Sequence, residues 1–319
     1  MTGPKKPTSC GLFALRQVCV LLFNSADQKG AYKVSTYAHQ LLESLQFSKS
    51  RILSTLPCLS LLSFDEGDAI LDKGCSVQFW SCVISGYVAA SVPLDTGKRL
   101  PVHLYGPNEW FGEQPLMMKQ PSDFEYTCMT GVEVIVMSKQ CFDSAMCQEP
   151  KFGRFLCGLV AWRAQQQAEK LVWMRLGSSP LRVVMGLAQF AELATQSAKP
   201  PLIAQIAQTV DIPIAQQQIA DYCGVSRTLF SENIQHLAES GWLKLRYGGI
   251  ELQRVETWRR FARQMRQRSC MVSRPTVADL LRDLASAHAE LGPYRFPNLI
   301  NNRHVAMPLA GAFEQLSAA

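Results

Sequence analysis

Two blocks of different texture predict an α+β chain. Over residues 62–138, short apolar and alternating runs are cut by turn residues, and beyond residue 150 long helix-forming stretches flank a glycine-turned hairpin. A third observation joins the blocks: from Lys151 to Leu176 there is no Pro and only two Gly, so one long helix is expected between them. With 319 residues, 47% of them hydrophobic, the chain can build two cores. A net charge of +6 permits a polyanionic partner without demanding one.

Residues 1–41 read as an N-terminal extension. Its apolar stretch from Gly11 to Phe23 is interrupted by Arg16 and Gln17 and lacks a cleavage signal, and nowhere do roughly 18 apolar residues run together. A cytoplasmic protein with no membrane partner is therefore expected. The eleven cysteines contain no CxxC, and Cys82 and Cys128 lie in apolar runs, so they read as reduced, mostly structural thiols. Cys141 and Cys147 are the closest pair along the chain and the candidate redox pair.

Residues 42–149 read as a β jelly-roll barrel. Turn signals stand at Asp65-Glu66-Gly67, Lys73-Gly74, Ser85-Gly86, Asp95-Thr96-Gly97 and Tyr105-Gly106-Pro107, and the β-branched run Thr130–Met137 has the texture of a half-buried strand. Residues 150–176 form the long helix. A heptad seam of Gly153, Cys157, Val160, Ala164, Gln167, Leu171 and Met174 predicts packing on a second copy. The stripe Phe152, Phe155, Leu159 and Trp162 faces the barrel instead.

Residues 177–254 read as a winged helix-turn-helix. After Gly177-Ser178-Ser179-Pro180 a helix from Leu181 to Thr195 leads to a linker at Lys199-Pro200-Pro201. In Ile214–Leu237, Ala220 lets two helices approach, Gly224 takes the turn and Ser226 caps the second helix. Phe230, Ile234 and Leu237 should pack inward, leaving Arg227, Thr228, Ser231, Glu232 and Gln235 on the other face. Arg can hold a guanine edge, Glu a cytosine amine and Gln an adenine, so these five, with Ser226 and Gln217, are the candidate contacts to double-stranded DNA. Gly241–Tyr247 and Ile250–Leu252, joined by a Gly248-Gly249 turn, form the wing.

Residues 255–319 are a C-terminal extension, partly helical. Arg254, Arg259, Arg260, Arg263, Arg266 and Arg268 form a basic run suited equally to phosphates or to a solvated face, with Trp258, Ala262 and Met265 packing inward. A helix from Val277 to Leu291 is expected, capped by Thr276 with Asp279 and closed by Gly292.

No catalytic or metal residues are expected. The barrel has one histidine, His103, and the chain has no GxSxG, P-loop or dinucleotide fingerprint, so it does not read as an enzyme. The alternative, a cyclic-nucleotide-responsive signalling module acting through protein partners, leaves Arg227, Thr228 and Glu232 without a task.

In this order, Lys73-Gly74, Ser85-Gly86, Asp95-Thr96-Gly97-Lys98, Trp110-Phe111-Gly112-Glu113, Glu169-Lys170 and Gly224-Val225-Ser226-Arg227 resemble the Crp/Fnr family of bacterial transcription regulators over roughly residues 42–254. The resemblance implies a sensor barrel, a homodimer through the 150–176 helix, two recognition helices on half-sites one turn apart, and RNA polymerase as a further partner. It places an effector pocket at Gly112, Glu113, Asp123, Phe124 and Gln167. Members that bind cyclic AMP carry a phosphate-gripping Arg and then a small residue where this chain has Asp123 and Phe124, and a Thr-Ser pair where it has Gln167 and Ala168. A carboxylate repels a cyclic phosphate, so the expected effector is a different small molecule, apolar or aromatic, or none, with no bound cofactor. Glu232 stands where the family often has Arg, which implies a different operator.

Overall fold

Short β-branched segments separated by glycine turns pair as two facing antiparallel sheets in a computed structural model that describes residues 37–175, 177–194, 209–267 and 274–290. The strands are β1 Leu59–Phe64, β2 Ala69–Leu71, β3 Phe79–Ser85, β4 Val88–Pro93, β5 Arg99–Tyr105, β6 Trp110–Phe111, β7 Glu125–Cys128 and β8 Val132–Ser138. They are ordered β1-β8-β3-β6 in one sheet and β2-β7-β4-β5 in the other, the expected jelly roll. Strand β8 shows why one sheet carries two cores. Val132, Val134 and Val136 point into the barrel with Phe111 and Tyr126, while Ile135 and Met137 face outward against helices.

The outer face is covered by α1 (residues 37–44), α2 (Lys49–Thr55), α4 (Lys139–Gln148) and the start of α5 (Pro150–Arg175). Leu41, Leu42 and Leu45 join Trp80, Phe142 and Phe152 in this core, so the chain begins packing on the barrel by residue 38. Helix α4, capped by Ser138 on Cys141, and α3 (Glu113–Met118) are not legible as periodic runs, because each buries only a few residues.

Helix α5 shows the expected face buried on the barrel and an exposed apolar face opposite it, along an adjusted line. Phe152, Phe155 and Leu159 are buried on the barrel and Trp162 half-buried. Cys157, Val160, Ala161, Ala164, Ala168, Leu171 and Val172 are exposed together. Gln167 and Met174 do not belong to that face: Gln167 turns to His103, and Met174 packs into the core of the second domain. An ideal helix drifts from a strict heptad, which moves the line from 167 to 168.

The second domain comprises α6 (Ser179–Ala194), β9 (Thr209–Ile212), α7 (Gln216–Cys223), α8 (Arg227–Glu239), β10 (Leu243–Arg246), β11 (Gly249–Gln253), α9 (Val255–Gln267) and α10 (Val277–Ala289). The sheet β10-β11-β9 gains its third strand from β9, which leaves no clear signal in the sequence because it is only four residues long. Arg246 pairs with Gly249, so the turn residues are Tyr247 and Gly248, one place before the expected Gly248-Gly249. Gly249 is instead a strand residue whose missing side chain lets the Ile212 carbonyl approach. The linker at 199–201, Thr195, Arg268, Leu291 and Gly292 lie outside the described residues.

Trp258, Ala262 and Met265 are buried, as expected, but the arginines around them are largely engaged within the chain. Arg259 meets Glu256 at 2.8 Å, Arg260 meets Glu290 at 2.5 Å, and Arg266 holds Glu192 and lies 2.9 Å from Glu169. The C-terminal helix α10, held at its start by the Thr276–Asp279 capping box, lays Leu280, Leu284 and Ala287 on the same core, and its His288 Nδ1 lies 2.9 Å from Thr257 Oγ1.

Candidate nucleic-acid interface and effector pocket

Helices α7 and α8 meet where the sequence lets them. Ala220 is fully buried at the crossing and Gly224, at φ +64°, turns the chain through a conformation that disfavours a side chain. A Cβ there would also strike the Met174 methyl of α5. The Gly224 carbonyl accepts from Arg182 Nη1 at 2.8 Å, which ties the turn to α6. Ser226 then accepts from the Leu229 amide at 3.2 Å and starts α8, a cap worth about 1 kcal/mol.

Within α8, Phe230, Ile234 and Leu237 are buried, and Asn233 turns back to the Leu229 carbonyl at 2.6 Å. Arg227, Thr228, Ser231, Glu232 and Gln235 are all exposed, with Ser226 at the helix start. Gln217 is also exposed, on α7, where it bonds Asp221 at 2.9 Å. The seven sequence candidates therefore lie on the solvent side of the two helices. Two neighbours escape a reading of the sequence. Leu229 is 42% exposed beside them, and Tyr247 stands fully exposed at the wing tip. The alternation of the wing could have revealed the tyrosine; nothing marks Leu229 except its place beside Glu232.

In the barrel, Gly112 caps α3 at φ +91° and delivers Glu113, 4% exposed, to the interior. Trp80 Nε1 donates to the Glu113 carboxylate at 3.3 Å, and Arg163 of α5 pairs with it from the other side. The same guanidinium donates to the Trp110 carbonyl and stands 5.2 Å from the Tyr105 ring centroid. Tyr105, Phe111 and Tyr126 pack ring to ring beneath it, with centroids 5.0–5.9 Å apart.

The five pocket candidates differ in their surroundings. Phe124 is half-buried against the Phe111–Tyr126 core, whereas Asp123 is exposed. The cleft between Gln114 and Phe124 measures about 10 Å³, the space of a single water. Gln167 Nε2 donates to His103 Nδ1 at 3.0 Å. Burial, and then the charges of Arg163 and Lys170, push His103 down to about 3, so the ring is neutral. His103 Nε2 and Arg163 Nε are buried without a hydrogen-bond partner. Arg163 is invisible in the sequence because its partner lies fifty residues away and only the fold joins them.

Beyond the pocket, Lys170 Nζ donates to the Val102 carbonyl of β5 at 2.9 Å and lies 3.7 Å from the ring centroid of Tyr222 on α7. One side chain of the long helix thus touches both barrel and DNA-binding domain. Among the described residues no helix is long and apolar enough to cross a membrane, and no three His, Cys, Asp or Glu side chains converge as a metal site requires.

Comparison with known proteins matches this architecture. Residues 61–149 match the cyclic nucleotide-binding domain family and residues 182–261 the Crp-like helix-turn-helix domain family. A CRP-like cAMP-activated global transcriptional regulator of Mycobacterium tuberculosis is 24% identical over 215 residues, 67% of this chain and 93% of the relative. The transcriptional activator protein FnrL of Cereibacter sphaeroides is 20% identical over 187 residues, 57% of this chain and 72% of that one. The structure of FixK2 from Bradyrhizobium japonicum superposes with a TM-score of 0.51 at 15% identity, covering 67% of this chain and 98% of FixK2. With a sensor-type barrel and a Crp-like reading head in the same order, the chain belongs to the Crp/Fnr family of transcription regulators.

Proposed function

We propose that this regulator reads its operator as a homodimer, through Arg227, Thr228, Ser231, Glu232 and Gln235 of α8, and does so without a cyclic nucleotide. The observation that carries the second part is the Arg163–Glu113 pair. The carboxylate that the resemblance places in the effector pocket already has a cationic partner, supplied by the chain's own long helix. A cyclic nucleotide would have to displace that buried ion pair and would meet neither the phosphate-binding Arg nor open space beside Phe124. The exposed apolar seam of α5 supports the dimer: Val160, Leu171 and Val172 are 40%, 58% and 47% exposed on a lone subunit, and a second copy of the same helix covers them. Contact with RNA polymerase belongs to the same proposal and rests on the family alone.

Selection of bound duplexes from a random pool, with and without cyclic AMP, tests the reading. We expect a two-fold symmetric site bound equally well in both arms. Arg227→Ala is expected to lose about 1–3 kcal/mol of specific binding while non-specific binding persists. A tenfold gain in affinity on adding cyclic AMP would overturn nucleotide independence, and unchanged selectivity of Arg227→Ala would overturn the placement of α8.

A further inference from the structure

Cys141 has a spatial partner, and it is not Cys147. Six residues on along α4, Cys147 is displaced by about 9 Å along the helix axis and about a third of a turn around it, which is out of disulfide reach. The partner comes from far upstream. Cys58 ends the 3₁₀ turn Leu56–Cys58 immediately before β1, and because Leu59 pairs with Met137, Cys58 stands beside Ser138, the cap of α4. Its thiol donates to the Ser54 carbonyl at 3.8 Å and is near enough to the Cys141 thiol for the two to couple electrostatically.

The surroundings hold the two sulfurs in place. Arg51 of α2 donates to the Cys141 carbonyl at 3.3 Å and to Gln148 at 3.0 Å, and Ser48 donates to Glu149 at 2.8 Å. These bonds fasten the segment carrying Cys58 along the whole of α4. Arg51 Nε is buried and has no hydrogen-bond partner, so an unmatched donor sits beside the pair. Both cysteines are partly exposed, in contrast to the fully buried Cys82 and Cys223.

We propose that Cys58 and Cys141 form a dithiol modification site that a small hydroperoxide converts into an intramolecular disulfide. The Cys141 sulfur attacks the outer peroxide oxygen. An S–O bond forms, the O–O bond breaks, and water (or an alcohol) leaves with the Cys141 proton. The Cys58 sulfur then attacks the resulting sulfenic acid. The S–S bond forms, the S–O bond breaks, and a second water leaves with the Cys58 proton. Two thiols lose two electrons and the peroxide gains them. Burial, and then its coupling to the Cys141 thiol, push the Cys58 thiol up to about 11, so it enters as the protonated, resolving partner. The product locks the 3₁₀ turn to α4, the helix that leads into the seam helix α5.

The test uses the reduced full-length protein exposed to hydrogen peroxide, followed by thiol blocking, digestion with a protease that cuts before Asp143 to separate Cys141 from Cys147, and mass mapping. The expected product is a Cys58–Cys141 linked peptide two hydrogens lighter than its parts, lost on reduction with a dithiol and absent from Cys58→Ser. In that variant Cys141 should instead proceed to the sulfinic acid. A Cys141–Cys147 link, a link between two copies, or both cysteines remaining blockable while Cys147 oxidises would each overturn the proposal. The wild-type map decides even if the variant folds poorly.

Discussion

Arg163 and Glu113 are 12% and 5% exposed, so each charge is stable in place only while the other is present. Arg163→Ala leaves a buried carboxylate whose remaining side-chain donor among the described residues is Trp80, and is expected to cost about 3–5 kcal/mol in urea unfolding. The double variant Arg163→Met, Glu113→Leu should recover most of that loss, because no lone charge remains. Equal destabilisation of both variants would mean that the pair contributes through packing alone. At this scale the sequence is informative about one partner only. Glu113 is legible because it ends the Trp110–Glu113 motif, while Arg163 is one cation among many until the barrel closes against α5.

Among the elements, amphipathicity is legible where it is local. Helix α8 buries Phe230, Ile234 and Leu237 and exposes the polar set, as a 3.6-residue period requires. Helix α5 is harder, since it carries two apolar stripes and hence little net polarity between faces. Its assignment to barrel and partner copy depends on what lies opposite. Ala164 is exposed at the middle of the seam, so Ala164→Glu sets two carboxylates against each other across the dimer axis. We expect the dimer dissociation constant to rise about a hundredfold, roughly 3 kcal/mol, by analytical ultracentrifugation. Thermal stability of the subunit should barely change. A variant that stays dimeric would place the interface elsewhere. Helix α9 shows the limit of composition as a guide, because its arginines read equally as phosphate contacts until Glu169, Glu192, Glu256 and Glu290 are brought beside them.

Across the molecule, barrel and DNA-binding domain share a core: Tyr87, Ala89, Leu104 and Met129 of the barrel pack with residues of α6 and α7. Two buried ionisable groups lie in or beside this joint, and they respond to pH in opposite directions. Burial lowers Lys170 from the ordinary 10.5 to about 7, so the unfolded chain binds a proton that the folded one has released, and stability from this group rises between pH 7 and 10.5. Burial raises Glu109 from 4.5 to about 7, so its contribution is full below 4.5 and is lost as pH rises to 7. The two contributions are jointly lowest near neutrality. Relative to wild type, Lys170→Met should lose the gain above pH 7 and keep the decline below it, as read from urea midpoints between pH 5 and 9. Parallel curves for the two proteins above pH 7 would show that Lys170 is not desolvated at the joint.

The sequence alone determined the features set by near neighbours along the chain: strands from turn spacing, helices from caps and period, the helix-turn-helix from Ala220, Gly224 and Ser226, and the polar face of α8. Tertiary structure decided every pairing between distant segments, namely Arg163 with Glu113, Gln167 with His103, Lys170 with Tyr222, and Cys141 with Cys58 rather than Cys147. The physical reason is one of range. Backbone geometry and side-chain period act over a few residues, whereas buried charges and thiols take their chemistry from whatever the closed core places within a few ångströms.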